Sequence, residues 1–238
     1  MSCILHIETS TDVCSVALSE DSEVIFSQID REGPNHAEMI PRFVDEALSF
    51  AESHAIPLDA VSVSSGPGSY TGLRIGVSMA KGVCYGRGVP LLSIPTLQLL
   101  CVKPLLIHPD DIEEGSLLCP MIDARRMEVY AAIYDRALRP VRQAQADVVD
   151  ATTYKQWLDR GPVYFLGGGM PKLKDLLSQH PNARFIDGLI PEAPMMMPLA
   201  ERKLIRGEVE DTAYFEPFYL KDYQAALPKN PLAALAGK

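Results

Sequence analysis

The chain opens with apolar runs separated by short polar breaks, the pattern of packed strands. Residues 3–8 form a mostly apolar run ending in Glu8, and Cys14, Val16 and Leu18 then alternate with small polar residues. A period of two places alternate side chains on opposite faces of a strand. Glu20-Asp21-Ser22 is a turn signal, and a third strand is predicted over 24–29. Gly33-Pro34-Asn35 breaks the pattern, with Asn35 a candidate cap for a helix over 36–53.

In that helix Met39, Ile40, Phe43, Val44, Ala47, Leu48 and Ala51 fill an arc of roughly 180° at about 100° per residue. A surface helix needs a stripe only a little wider than about 100°. The excess implies contact on two sides, one with a sheet and one with a second helix or a partner, unless the whole face is buried within this chain. A strand over 60–64 runs into Gly66-Pro67-Gly68 and a second helix over 69–85. There Gly72, Gly76, Ala80 and Cys84 recur every fourth position, flanked by Leu73, Val77, Met79 and Val83. Glycine inside a helix costs up to about 1 kcal/mol relative to alanine, so the row calls for a packing reason. Small side chains let another backbone come closer than the usual 8–10 Å or about that. Met39, Ile40, Phe43, Ala47, Gly72, Leu73, Gly76, Met79, Ala80 and Val83 are therefore the candidate partner-binding residues.

After a strand over 91–94 and a helix near 96–102, the stretch 103–115 mixes Pro, His and acidic residues and reads as a crossover between lobes. A strand over 117–123 restarts the pattern. Laying Glu8 over Asp123 without gaps sets Cys14, Val16 and Leu18 over Val129, Ala131 and Ile133, and the turn Glu20-Asp21 over Asp135-Arg136. A strand over 163–166 runs into Gly167-Gly168-Gly169, as its counterpart runs into Gly66-Pro67-Gly68. A helix near 172–178, a strand over 184–186 and a helix over 197–206 follow. The order predicts an α/β protein of two lobes of duplicated βββαβα type, each a mixed sheet flanked by helices. The expected division is a first lobe over 1–105, rejoined by 212–227, a second over 106–211, and a flexible tail over 228–238.

With 238 residues, 47% of them hydrophobic, the chain can bury a substantial core. No stretch approaches the roughly 18–20 apolar residues of a membrane span, and the N-terminus shows no basic leader. Five cysteines without paired spacing indicate free thiols and a cytoplasmic protein. A net charge of −9 and the lack of a Lys/Arg-rich run make the chain a poor candidate to hold RNA alone.

The duplicated unit resembles the actin-like ATPase superfamily, whose lobes are ribonuclease H-like. Five segments narrow the match: Ile7-Glu8-Thr9-Ser10-Thr11-Asp12-Val13-Cys14-Ser15-Val16-Ala17-Leu18, Asn35-His36-Ala37-Glu38-Met39-Ile40-Pro41, Gly66-Pro67-Gly68-Ser69-Tyr70-Thr71-Gly72-Leu73-Arg74-Ile75-Gly76, Ile122-Asp123-Ala124-Arg125-Arg126-Met127-Glu128-Val129-Tyr130 and Glu216-Pro217-Phe218-Tyr219-Leu220. In that order, across nearly the whole chain, they resemble the TsaB (YeaZ) family, the last as its C-terminal strand. The resemblance implies a subunit of tRNA threonylcarbamoyladenosine (t6A) modification. Its expected partners are a TsaD-like paralogue, which transfers threonylcarbamoyl, and a TsaE-like ATPase, with tRNA reached only indirectly through the complex. The family's contact with TsaD is a bundle of first-lobe helices, which is where the wide faces lie. The same face can also pair with its own copy in a homodimer.

The catalytic paralogue holds a metal with histidines at i and i+4, a spacing that puts two imidazoles on one helix face. The corresponding stretch here, 92–100, has neither histidine nor carboxylate, and no i, i+4 pair exists among His6, His36, His54, His108 and His180. No catalytic or metal-binding residue is therefore assigned. Gly66, Gly68, Gly167, Gly168 and Gly169 either make tight turns or cradle phosphates. The superfamily implies Glu8 and Asp123 beside them, and ATP or ADP in the complex is the one cofactor left open. Asp123 could instead pair with Arg125 or Arg126, and His36 could simply help start its helix. The rival reading is an independent actin-like ATPase or metal-dependent peptidase-like enzyme.

Overall fold

A computed structural model describes residues 2–33 and 35–221. The first lobe contains β1 (Cys3–Glu8), β2 (Cys14–Glu20), β3 (Glu23–Asp30), α1 (His36–Ser53), β4 (Ala60–Gly66), α2 (Tyr70–Arg87) and β5 (Leu91–Pro95). Helices α3 (Thr96–Leu100) and α4 (Val102–Ile107) lead to β6 (Leu117–Asp123), β7 (Glu128–Tyr134), β8 (Pro140–Val148), α5 (Lys155–Leu158), β9 (Val163–Leu166), α6 (Lys174–Leu177), β10 (Ala183–Ile186) and α7 (Met197–Arg206).

The two sheets have the same strand order, β3-β2-β1-β4-β5 and β8-β7-β6-β9-β10. In each, the first three strands pair antiparallel and the last two join parallel to the first. Glu8 ends β1 and Asp123 ends β6, so the gapless register read from the sequence places equivalent residues at equivalent positions. The helices are less alike. Both α1 and α2 run 18 residues, while α5 and α6 have four each. Beside α5, Tyr154 fills the second core and donates from its hydroxyl to Asp147 at 2.7 Å, and Asp147 also takes both Arg142 terminal nitrogens at 3.0 and 2.6 Å.

Each lobe sends its last helix to the other. Leu97 and Leu100 of α3 pack with Leu118, Ile122 and Ala132 of the second sheet. Met196, Leu199 and Ala200 pack with Ile4, Ala60 and Leu92 of the first. Ala193 donates its amide to Ser15 Oγ at 2.9 Å, and Glu201 accepts from both the amide and the hydroxyl of Ser22 at 2.9 Å. Residues 193–211 thus lie against the first sheet, an earlier return than the expected 212. The reason is the exposed apolar face of that sheet, which α1 and α2 leave uncovered.

Three further expectations are corrected. The crossover over 103–115 is helical through Ile107 and has a 3-10 turn at Pro109–Asp111. Residues 216–220 form no strand: Pro217 has no amide to donate, and the tie to the sheet is the Phe218 amide on Ser65 O at 2.7 Å. Asn35 stands at the start of α1 without capping it, since its side-chain amide turns to Asp30 at 3.4 Å. The tail over 228–238, and the end of the 212–227 return, lie outside the described residues.

Buried polar groups rigidify the first lobe. His6, fully buried, sits between Ser62 Oγ at 2.7 Å and Ser19 Oγ at 2.8 Å, and burial drives its imidazole down to about 3. It is neutral at physiological pH and joins three strands by side-chain bonds. All five cysteines are free and buried.

Candidate interaction surface and the loops above the two sheets

The loop after β1 is packed beneath α2. A Cβ on Gly68 would lie 2.3 Å from Ser10 O, one on Gly72 2.1 Å from Thr9 O, and one on Gly76 2.2 Å from Thr9 Oγ1. The two glycines of the row therefore have their reason inside this chain: Gly72 admits the Thr9 carbonyl and Gly76 the Thr9 side chain. Ser69 donates its amide to Ser10 O at 2.7 Å, and His36 Nε2 bonds Thr11 O at 2.8 Å. Gly66, at φ +102°, has Phe218 O against the place of its missing side chain, 2.6 Å away.

Glu8 is fully buried beneath this loop. Its Oε1 accepts the Ser10 amide at 2.5 Å, while Oε2, Thr9 Oγ1 and Ser10 Oγ have no partner among the described residues. Burial pushes the carboxyl up to about 7, against the pull of the Ser10 amide.

Asp123, at the equivalent strand end, is exposed. It accepts the Arg125 amide and the Lys172 ammonium, each at 2.6 Å, so its charged partner is Lys172 rather than either neighbouring arginine. Partial burial works against ionisation, but the lysine and the amide hold its carboxyl below the usual carboxylate range. Gly167, at φ +91°, and Gly169 press against Met121 O and Ile122, and the Gly169 amide donates to Met121 O at 2.9 Å. Gly168 alone is open.

The Ser69, Leu73 and Gly169 amides already donate to Ser10, Ser69 and Met121 carbonyls. The cleft of about 320 Å³ between the lobes, beside Pro67, Gln98, Tyr134 and Phe218, has no charged residue in its lining. Among the described residues no group of three or more His, Cys, Asp or Glu could hold a metal ion. In α3, Thr96, Leu97, Leu99 and Leu100 are buried, and Gln98 bonds Leu138 O at 3.0 Å.

The outer faces of α1 and α2 are a different matter. The two helices touch, their C-terminal ends tied by an Arg87–Glu52 ion pair. Of the residues expected to bind a partner, Ile40, Phe43, Ala47, Gly72, Leu73, Gly76 and Ala80 are buried in this chain. Met39, Met79 and Val83 are half-buried and pack on the first core. The wide arc of α1 is explained by contacts with β2, β3 and α2. On the opposite side of α2, about 200° around from the glycine row at about 100° per residue, stand exposed Ser78, Gly82 and Gly86. A Cβ on Gly82 or Gly86 would meet nothing within 4 Å. Tyr85 beside them is 89% exposed. Two glycines in the second half of a helix, with open space around each, have no packing reason among the described residues.

Comparison with known proteins agrees with this architecture. The family model for TsaD, tRNA N6-adenosine threonylcarbamoyltransferase, matches residues 22–228. The tRNA threonylcarbamoyladenosine biosynthesis protein TsaB of Escherichia coli K12 is 28% identical over 92% of this chain and 94% of its own length. The Bacillus subtilis protein of the same name is 31% identical over 69% of this chain and 70% of its own. The chain belongs to the TsaB (YeaZ) family. YeaZ from Pseudomonas aeruginosa shares the fold, with a TM-score of 0.77, 24% identity and coverage of 92% of this chain and 100% of that one.

In this TsaB-family chain Thr9 and Ser10 fill the space beneath α2, while Ser78, Gly82, Tyr85 and Gly86 on its other side are exposed. Of the residues expected to bind a partner, most serve the core of this chain, and Met79 and Val83 border the open face of α2. A second row at the same spacing, Ser78, Gly82 and Gly86, carries no large apolar residue that would mark it as buried.

Proposed function

We propose that this chain serves t6A modification of tRNA as a supporting subunit that docks a TsaD-like transferase, together with a TsaE-like ATPase, and supplies no transfer chemistry itself. Likeness to TsaB proteins over nearly the full chain supports the pathway. The observation that carries the supporting role is α3. Where the resemblance puts the transferase's histidine pair, this chain has Thr96, Leu97, Leu99 and Leu100, all buried against the two sheets. That helix presents no imidazole or carboxylate to a metal, which supports the reading.

The docking face we assign is Ser78, Gly82, Tyr85 and Gly86, edged by Met79 and Val83, where small residues let a partner helix approach closely. A second copy of the chain would use the same face when no transferase is present. The working compartment would be the cytoplasm, and no helix among the described residues is long and apolar enough to cross a membrane. The test is reconstitution of tRNA modification from TsaD-like, TsaE-like and TsaC-type proteins. Omitting this chain should abolish turnover, and this chain alone should transfer no threonylcarbamoyl. Robust transfer without it, or by it alone, would overturn the reading.

A further inference from the structure

The β6–β7 hairpin tip combines backbone strain with unmatched charge. Arg125 and Arg126 both adopt left-handed backbone, at φ 72° and 50°. Consecutive left-handed residues are normally glycine, asparagine or aspartate, whose side chains tolerate the conformation. Arginine has no such tolerance, and strain of this kind gathers at working sites. The tip is closed by the Ala124 amide on Glu128 O and the Glu128 amide on Arg125 O, each at 3.1 Å.

The charges around the tip are matched except at the two arginines. Lys172 neutralises Asp123, and Lys221 pairs with Glu128. Arg125 and Arg126 are exposed, and among the described residues neither guanidinium has a hydrogen bond or ion pair. A chain of net charge −9 thus presents two uncompensated cations side by side on a strained turn.

We infer that this hairpin tip contacts the phosphate backbone of RNA once the chain is assembled into the tRNA-modifying complex, an inference that rests on the function proposed above. Guanidinium forks match phosphate oxygens with two parallel hydrogen bonds. A polyanion with closely spaced charges attracts such a tip despite an acidic body, whereas exposed charge pairs between proteins contribute little. Two contacts cannot hold RNA alone, which agrees with the acidic composition. They add to a grip supplied by a more basic partner.

The test uses the assembled complex of this chain with TsaD-like and TsaE-like proteins, and tRNA as the probe. Arg125→Asn combined with Arg126→Gly suits the left-handed backbone better than the parent residues. The melting temperature of the isolated chain should hold or rise, and assembly of the complex should be unchanged. Binding of tRNA, measured from about 50 to about 200 mM salt, should weaken several-fold, and the slope of log affinity against log salt should become shallower by about 1.5, the worth of two phosphates. Unchanged affinity and slope would overturn the inference. If complex assembly weakens while the assembled complex binds tRNA as before, the tip is a protein contact and the inference is wrong. Should the variant fail to fold, Arg125→Gln with Arg126→Gln makes the same comparison. Modification that survives omission of the whole chain would instead refute the proposed function.

Discussion

Residues 9–13 after β1 and residues 124–127 after β6 arise from the same repeated unit, yet Thr9 and Ser10 are buried while Arg125, Arg126 and Met127 stand in solvent. The helix that follows accounts for the difference. In the first lobe α2 is long and carries Gly72 and Gly76 where the loop meets it, so Thr9 and Ser10 fit beneath it. In the second lobe the same place holds the 3-10 turn Pro171–Leu173 and the four-residue α6, which leave the hairpin uncovered. Duplicated topology therefore preserves strand order and register but not what the loops do. Burial decides whether a loop is structure or surface.

The comparison can be broken most forcefully at the strand ends. Glu8, raised from its ordinary 4.5 to about 7 by burial, folds best when protonated. Its contribution is fully present below pH 4.5 or so and is lost as pH rises through about 7, a cost on the order of 3 kcal/mol at about 1.4 kcal/mol per unit. Denaturant titrations of the parent should show stability falling across that window, and Glu8→Gln should remove the fall. A parent whose stability is flat from pH 5 to 8 or thereabouts would show Glu8 to be better solvated than its burial implies.

Next in size is Gly76→Leu, which has Thr9 in its way and should cost about 3 kcal/mol by overpacking. In the second lobe Gly168→Ala, with open space around it, should stay within about 0.5 kcal/mol. Equal thermal shifts from the two would erase the distinction between the loops. Gly82→Ala should stabilise the isolated chain by up to about 1 kcal/mol, because the glycine there serves nothing within it. A loss of stability would mean that the outer face of α2 is not open. The smallest effect belongs to Asp123→Asn. Its carboxyl is held below the usual range, so its contribution exists above the unfolded value and disappears as pH falls, opposite in sign to Glu8. Exposure limits it to about 0.5 kcal/mol, to be read as a shift in acid unfolding midpoint.

Strand order and the gapless overlay of Glu8 on Asp123 were legible because alternation and turn residues act locally. The side of α2 that faces outward was not. Gly72 and Gly82 look alike in sequence, and only the position of Thr9 separates a glycine that is packed from one that is bare. Likewise His6 lies in an apolar run with no local mark of Ser19 and Ser62, whose hydroxyls reach it across neighbouring strands. The return at residue 193 escaped notice because α7 reads as an amphipathic helix whichever sheet it covers. The resemblance in residues 122–130 marked the hairpin, but its strain and unmatched charge appear only in the backbone angles and the pairing of Lys172 and Lys221.

The central claim is that this chain acts through the outer face of α2 on a transferase partner. It is tested most directly by the affinity of Gly82→Leu for a TsaD-like protein, measured alongside its melting temperature. The account predicts a chain at least as stable as the parent, since the side chain enters open space, whose binding is weakened tenfold or thereabouts, about 1.4 kcal/mol. Parent-like affinity at unchanged stability would contradict it.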